Sequence, residues 1–398
     1  MGVTAALMPL YIARWRIGPL PTTLLEALIG VTVVAYLVTL YSEKRLPRAR
    51  TPYDIPIILL LIAGVIGIVV APDHLKALGT YRAYFIEAIV CFYIAVDLLR
   101  SRADITTFLL IAGAGVCLMA VGELADFAYA VQHHNLDLSA APSFLNTSAN
   151  SDAMYFEPPL AFALAFTLFP SRPRERWVAG AGLVLIFAAF IASLSRASFL
   201  ALAILVAVLV LSARSLRWRL RALAGAFVVA LVVLEIPFVN RRFLTFADSV
   251  TNRESIYKQT VRMLEQFPIF GAGLDGFGTR VAPYRPAGQI IQIYPHDIWL
   301  TFWSELGLLG LVAFALIFFG LLWRAVKTLP FATDIYRPLL WGAIGALILY
   351  TVHGLFDSPY WKNDLSVEFW LLAALQVVAV RATRLRVADT SKGPAAAP

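Results

Sequence analysis

The chain has 398 residues, 60% of them hydrophobic and only 15% charged, with a mean hydropathy of +0.75. Soluble domains are about 45–50% apolar and about 25% charged, so this composition excludes a soluble multi-domain enzyme and is too apolar for a disordered chain. Two cysteines exclude a disulfide framework or a Cys-rich metal site, and a net charge of +8 then reads as the positive-inside bias of a polytopic membrane protein instead of nucleic-acid binding.

Apolar runs of the about 17–25 residues that a helix needs to cross hydrocarbon recur along the chain. They fall at 20–41, 55–71, 78–99, 105–122, 153–169, 177–193, 197–212, 222–238, 297–323, 339–355 and 365–380. Residues 1–13 are apolar but short, and a crossing there brings the total to about twelve helices. The runs are continuous, with no alternation, so the expected fold is an all-α polytopic bundle and not a barrel. Residues 1–386 read as one transmembrane domain, with a disordered cytoplasmic tail over 387–398.

Every second connection carries basic residues. Lys44, Arg45, Arg48 and Arg50 share one; Arg100 and Arg102 the next; then come Arg172, Arg174 and Arg176, and Arg214, Arg217, Arg219 and Arg221. Arg324, Lys327 and Arg337 follow, and Arg381, Arg384 and Arg386 open the tail. These connections are expected on the cytoplasmic side. Of the outer segments, 123–152 holds Glu123, Asp126, Asp137 and Asp152 with no Lys or Arg.

Residues 239–296 form a large, partly helical extracytoplasmic loop that breaks the pattern. It carries Arg241, Arg242, Arg253, Lys258, Arg262, Arg280 and Arg285 against Asp248, Glu254, Glu265 and Asp275. An anionic ligand is the simplest reason for arginine on the outer side. Thr251-Asn-Arg-Glu254 fits a capping box, so a surface helix over about 252–266 is expected with Arg253 in its first turn, where backbone N–H groups also favour an anion. Gly271-Ala-Gly273-Leu-Asp-Gly276 spells G-x-G-x-x-G, but the dinucleotide fingerprint needs a strand before it and a helix opening on it, and here the stretch follows a Pro-terminated helix in an extracytoplasmic loop. It reads as a tight turn.

Tyr294-Pro-His296-Asp297 leads into the span 297–323. A histidine at the outer mouth of a helix suits a proton acceptor near neutral pH, or an interfacial side chain with a satisfied hydrogen bond. His74, His133, His134 and His353 compete for the role. Ionisable groups inside spans are costly unless they serve a function. Arg196 lies at the outer junction of two short spans, and Arg82 at the outer end of its span with Glu87 deeper. Arg14 and Arg16 join that face if residues 1–13 cross. Arginines and a histidine thus gather where a lipid-linked phosphate or diphosphate lies, and guanidinium suits its oxygens by charge and bidentate geometry. No G-x-x-x-x-G-K-[ST], H-E-x-x-H or Asp-x-Asp pair occurs, so nucleotide hydrolysis and a metal–nucleotide-sugar site are unsupported.

Three places resemble a known family. Leu194-Ser195-Arg196-Ala197-Ser198 is one. Asn252-Arg253, Pro268-Ile-Phe-Gly271-Ala-Gly273, His296 and Ser304-Glu305-Leu-Gly307-Leu-Leu-Gly310 form the second. His353-Gly-Leu-Phe-Asp357, followed by Phe369-Trp370, is the third. Together they resemble the O-antigen ligase and O-antigen polymerase superfamily of bacterial envelope polysaccharide glycosyltransferases, over roughly 190–375. The resemblance implies a GT-C-like, multi-pass enzyme of the bacterial inner membrane with a periplasmic active face. Its donor would be an undecaprenyl-diphosphate-linked glycan, its acceptor a glycan, lipid or protein, and it would need no cofactor, metal or nucleic acid.

Carried over, His296 is the expected general base and Arg253 its catalytic partner. Arg196, Arg82, Arg262 and Arg14 are the candidates for diphosphate or glycan, with His353 and Asp357 secondary. Ligase, polymerase and protein O-glycosyltransferase differ only in acceptor. The competing class is a non-enzymatic transporter or flippase for the same lipid-linked glycan. That class predicts inverted repeats and broken helices at the midplane, whereas no repeat is visible and the candidate residues sit at one face.

Overall fold

A chain surrounded by hydrocarbon must satisfy its own backbone groups, and continuous apolar runs do so as helices. The computed structural model describes residues 1–391 except 19, 49, 139–140, 146–147, 213–214 and 245, with backbone alone at 17, 20, 242–244, 246–252 and 390–391. A short α1 (Gly2–Ala6) and a 3-10 turn (Met8–Ile12) lead into an antiparallel hairpin, β1 (Arg14–Ile17) and β2 (Leu20–Thr23), with Arg14 opposite Thr23. Then follow α2 (Leu24–Ser42), α3 (Asp54–Val70), and α4 (His74–Tyr81) joined through a π turn at Arg82–Ile86 to α5 (Glu87–Leu98). Next are α6 (Arg102–Gln132), α7 (Ala149–Leu168), α8 (Pro173–Ala192), α9 (Arg196–Ser212) and α10 (Leu216–Leu234). The large loop holds α11 (Pro237–Leu244), α12 (Phe246–Gln266) and α13 (Phe277–Val281), and α14 (Ile298–Thr328), α15 (Tyr336–His353) and α16 (Asn363–Ser391) complete the chain.

Each of the eleven apolar runs between 20 and 380 contains a helix. Five helices are long and apolar enough to cross a membrane: Leu24–Ser42, Arg102–Gln132, Pro173–Ala192, Ile298–Phe331 and Asn363–Asp389. Asp54–Val70 and Arg196–Ser212 are apolar but shorter. The expected count of about twelve crossings therefore exceeds what length and composition support. Polar residues account for part of the gap: α7 contains Asp152, Glu157 and two prolines, and α10 opens with three arginines.

Three expectations are corrected. Residues 1–13 are no single crossing helix, because the chain leaves helical geometry at Leu7 and a 3-10 turn with Pro9 in its first positions follows over Met8–Ile12. The helix expected from 252 already runs from Phe246, which puts Thr251 inside it and not at a cap; the Thr251 side chain lies outside the described residues, and Glu254 pairs with Lys258 at 2.5 Å. The tail is helical to Ser391, and residues 392–398 lie outside the described residues.

α16 is the centre of the bundle, with 89% of its crossing window buried. It packs on α5, α14 and α15, while α15 also packs on α7 and α9, and α3 on α14. The core there is aromatic. Phe302 stacks on Phe314 at 3.7 Å, and Trp370 donates its indole N–H to the Tyr360 hydroxyl at 3.0 Å, which donates to the Tyr84 carbonyl at 2.8 Å. By contrast α10 buries no residue, and Val31, Val34, Leu118 and Val184 stand exposed on their helices. Helices apolar on their outward faces suit contact with lipid.

Two glycines let the large loop re-enter the bundle. Gly273 takes φ +81°, and a Cβ there would meet the Ala71 backbone nitrogen at 2.6 Å, so only glycine lets this turn lie against the end of α3. Gly307 breaks α14 with φ +68° and ψ −173°, which frees the Leu308 N–H to donate to the Ile269 carbonyl at 2.9 Å. The G-x-G-x-x-G stretch is thus a buried turn wedged between α3 and the kink of α14.

Polar contacts sort to two ends. At one end Arg45 pairs with Asp97 at 2.6 Å, Arg100 also pairs with Asp97, Arg102 reaches Glu175 and Asp334, and Arg381 donates to the Arg50 carbonyl at 2.5 Å. Every one of these residues lies in or beside a connection expected to be cytoplasmic. At the other end Lys76 pairs with Asp275 at 3.1 Å, Arg82 with Glu26 at 2.6 Å and His296 with Asp357 at 3.2 Å. These come from the alternate set of connections.

Candidate active site

The site is built where five elements meet at that second end. Between α8 and α9 the chain turns sharply through Leu194, whose φ is +52°. Ser193 donates its hydroxyl to the Phe190 carbonyl at 2.7 Å, a local bond that competes with helix continuation. Ser195 then donates to the Asn150 side-chain oxygen at 2.6 Å, and Arg196 opens α9.

In the first turn of α9, the buried Ser198 donates to Ser195 Oγ at 3.0 Å and lies 3.1 Å from His353 Nδ1. His353 closes α15, is wholly buried, and bonds Glu157 of α7 at 2.7 Å. The chain leaves α15 through Gly354-Leu-Phe-Asp357, with the Asp357 N–H donating to the His353 carbonyl at 3.0 Å. Asp357 Oδ1 accepts from the Ser358 N–H at 2.8 Å and from His296 Nδ1 at 3.2 Å, while Oδ2 accepts from the Asn150 amide.

Burial pushes the Asp357 carboxyl up, but His296 by charge and hydrogen bond, His353, and the Ser358 N–H together hold it well below the ordinary carboxylate range. Asp357 is therefore an anion that accepts only, and the imidazole must present Nδ1–H to it. The other ring nitrogen, Nε2, lies 2.9 Å from the Gln292 side-chain oxygen, an acceptor, so this nitrogen is open to serve as a base only when Gln292 moves away or turns its amide NH2 toward it. The His296 side chain keeps 24% exposure against 7% for Asp357. Its backbone φ of +57° is a costly conformation for a residue other than glycine, the kind held only where surrounding contacts fix it.

Helix α12 supplies those contacts. Tyr257 donates its hydroxyl to the His296 carbonyl at 3.0 Å and the Leu355 carbonyl at 2.6 Å. Four residues earlier on the same face, Arg253 donates Nε to the Phe356 carbonyl at 2.6 Å. Among the described residues no carboxylate pairs with Arg253. Its charge is held at the lip of the site while its outer N–H groups stay available to an anion.

The structure thus brings His296, His353 and Asp357 into one connected cluster, with Arg253 bonded to the turn before Asp357 and Arg196 next in the chain to Ser195, which the cluster reaches through Asn150. Of the other three sequence candidates, Arg14 is within electrostatic range of Lys362 beside the cluster, and Arg82 and Arg262 have other surroundings. Arg82 starts the π turn and is held by Glu26 at 2.6 Å, Glu87 at 3.3 Å and the Pro21 carbonyl at 3.1 Å. Arg14 sits on the exposed hairpin, 5.9 Å from the Tyr11 ring. Arg262 is exposed on α12, and nine residues at 100° each put it on the opposite face from Arg253. Sequence reasoning passed over Asn150, Glu157, Tyr257 and Gln292, and gave Ser198 no role of its own within its motif. Glu157 had a signal, a carboxylate inside an apolar run, and Tyr257 another, its four-residue spacing from Arg253. Asn150 had none, since its partners come from distant segments. Among the described residues, no group of three His, Cys, Asp or Glu is placed to hold a metal ion.

Residues 181–315 match the family model of O-antigen ligase. Over those residues the chain is similar to the O-antigen ligase/polymerase superfamily. The matched O-antigen ligase segment runs from within α8 through the large loop into α14 and includes Arg196, Arg253, Arg262 and His296. His353, Asp357 and Asn150 lie outside it, so the O-antigen ligase segment receives its histidine's anchor from the flanking helices. No curated protein matches the chain.

Proposed function

We propose that this chain is a glycosyltransferase of O-antigen ligase type. It moves a preassembled glycan from undecaprenyl diphosphate to an acceptor hydroxyl on the outer face of the bacterial inner membrane. The eleven long apolar runs, with residues 1–23 folded against them, would carry the basic connections inside and the site outside. The observation that carries the reading is the His296–Asp357 pair, at 3.2 Å, with Arg253 bonded to the same turn as Asp357.

In this mechanism Asp357 orients the imidazole and steadies the imidazolium that forms. His296 Nε2 takes the proton from the acceptor hydroxyl as its oxygen attacks the anomeric carbon. The bond from that carbon to the diphosphate oxygen breaks, and the diphosphate leaves with the electron pair. Arg253 and Arg196 stabilise the growing negative charge. Gln292 must turn aside for the acceptor, so the segment before His296 acts as the door to the base.

The test is glycan transfer in membranes from a deletion strain carrying full-length variants. Arg253→Ala and Arg196→Ala are expected to abolish most transfer, and full transfer by both would remove the diphosphate role. A polymerase runs on the same base and clamp with a glycan as acceptor, and product length separates the two. A flippase would move lipid-linked glycan between leaflets without product.

A further inference from the structure

The base and the diphosphate clamp sit on elements far apart in sequence, and one side chain bridges them. Asn150, in the first turn of α7, donates its amide to Asp357 Oδ2 and accepts from Ser195 Oγ at 2.6 Å. Asp357 holds His296 at 3.2 Å, and Ser195 immediately precedes Arg196 at the head of α9. We propose that Asn150 is a positioning residue that couples the His296 base to the Arg196 clamp. This rests on the glycan-transfer reading above.

An amide suits the post. It is donor and acceptor at once and carries no charge, so it can satisfy a carboxylate on one side and a hydroxyl on the other. Neither an aspartate nor a leucine of the same size can do both. The arrangement is also shielded. Asp357 is faced by His296 at the start of α14, His353 at the end of α15, Tyr257 and Arg253 on α12, Tyr294 before α14 and Lys362 after it in the turn to α16. Lys362 in turn donates to Ser151, the residue next to Asn150. The first turn of α7 is therefore held from two sides, and its side chain at position 150 joins the α8–α9 turn directly to the α15–α16 turn.

The two arms of the bridge can be cut separately. Asn150→Asp still accepts from Ser195 but turns a carboxylate on Asp357, so it should lower kcat and move the acid limb of the pH–rate profile upward, with the donor KM kept. The imidazolium gains a second anion nearby, which favours its charged form. Ser195→Ala leaves the base arm intact, so it should raise the donor KM and leave the acid limb in place. Asn150→Ala cuts both arms, and a base displaced by about 1 Å loses about 100-fold in rate.

The experiment measures kcat, donor KM and pH–rate profiles for these three variants of the full-length protein in membranes, with thermal unfolding in detergent reporting the folded fraction. The split between the arms is the expected result. Equal losses in all three that follow the folded fraction, with the acid limb and donor KM unmoved, would overturn the coupling. If wild-type protein makes no transfer product, or His296→Ala matches it, the coupling falls together with the glycan-transfer reading.

Discussion

The two ends of the bundle use arginine in different ways. At the end that gathers Arg45, Arg100, Arg102 and Arg386, each of these arginines meets a carboxylate: Asp97 takes two of them and Asp334 another two. At the opposite end Arg253 bonds a backbone carbonyl, and His296 instead of arginine occupies the buried carboxylate Asp357. A matched arginine ties connections together and has little field left to offer. An arginine anchored by a carbonyl keeps its full charge at a fixed place, which is what a departing diphosphate requires. Arg82 shows that position alone does not decide the matter, since two carboxylates hold it on the same side as the site.

The comparison can be broken by substitution, beginning with the largest expected effect. His296→Ala should cut transfer per folded molecule by about 10²–10⁴-fold, the usual contribution of a general base, with thermal unfolding in detergent reporting the folded fraction. Asp357→Asn keeps the volume but offers the imidazole an amide, and a loss of about 10²–10³-fold is expected from an orienting carboxylate of this kind; initial rates across pH measure it.

The same variant tests the electrostatics. A carboxyl held below its ordinary range adds stability above about pH 4, and that gain is lost as pH falls through its lowered value. The stability gap between wild type and Asp357→Asn should therefore persist at neutral pH and close only in strong acid. A gap that widens on acidification would contradict the sign.

At the other end, Asp97→Asn removes the anion shared by Arg45 and Arg100 and should cost about 1–3 kcal/mol of stability, read by thermal unfolding, with transfer per folded molecule intact. Smallest of all is Arg262→Ala, on the far face of α12, which should change transfer less than about two-fold, as surface substitutions do.

Hydropathy made the helices legible because a crossing helix must be apolar along its whole length, whatever it packs against. It failed at 1–13, where Pro9 breaks a run that is apolar enough, and at the outer end of α6, where Glu123 ends the apolar run while the helix continues and the carboxylate accepts the Phe144 N–H at 3.1 Å. The site was half legible. His296, Arg253 and Arg196 carry charge or titrate where lipid-facing residues should not, so they stand out singly. Asn150 and Tyr257 are ordinary polar residues whose meaning lies in what faces them. Arg82 and Arg262 look alike in sequence to Arg253, and only the carboxylates beside one and the helical phase of the other set them apart.

The most direct test reconstitutes the full-length protein with a defined undecaprenyl-diphosphate glycan and a hydroxyl acceptor, and counts glycosylated product against undecaprenyl diphosphate released. One molecule of each per turnover, with both abolished by His296→Ala, is the predicted result. Product formed at the wild-type rate by His296→Ala, or lipid-linked glycan consumed with no glycosylated acceptor, would contradict it.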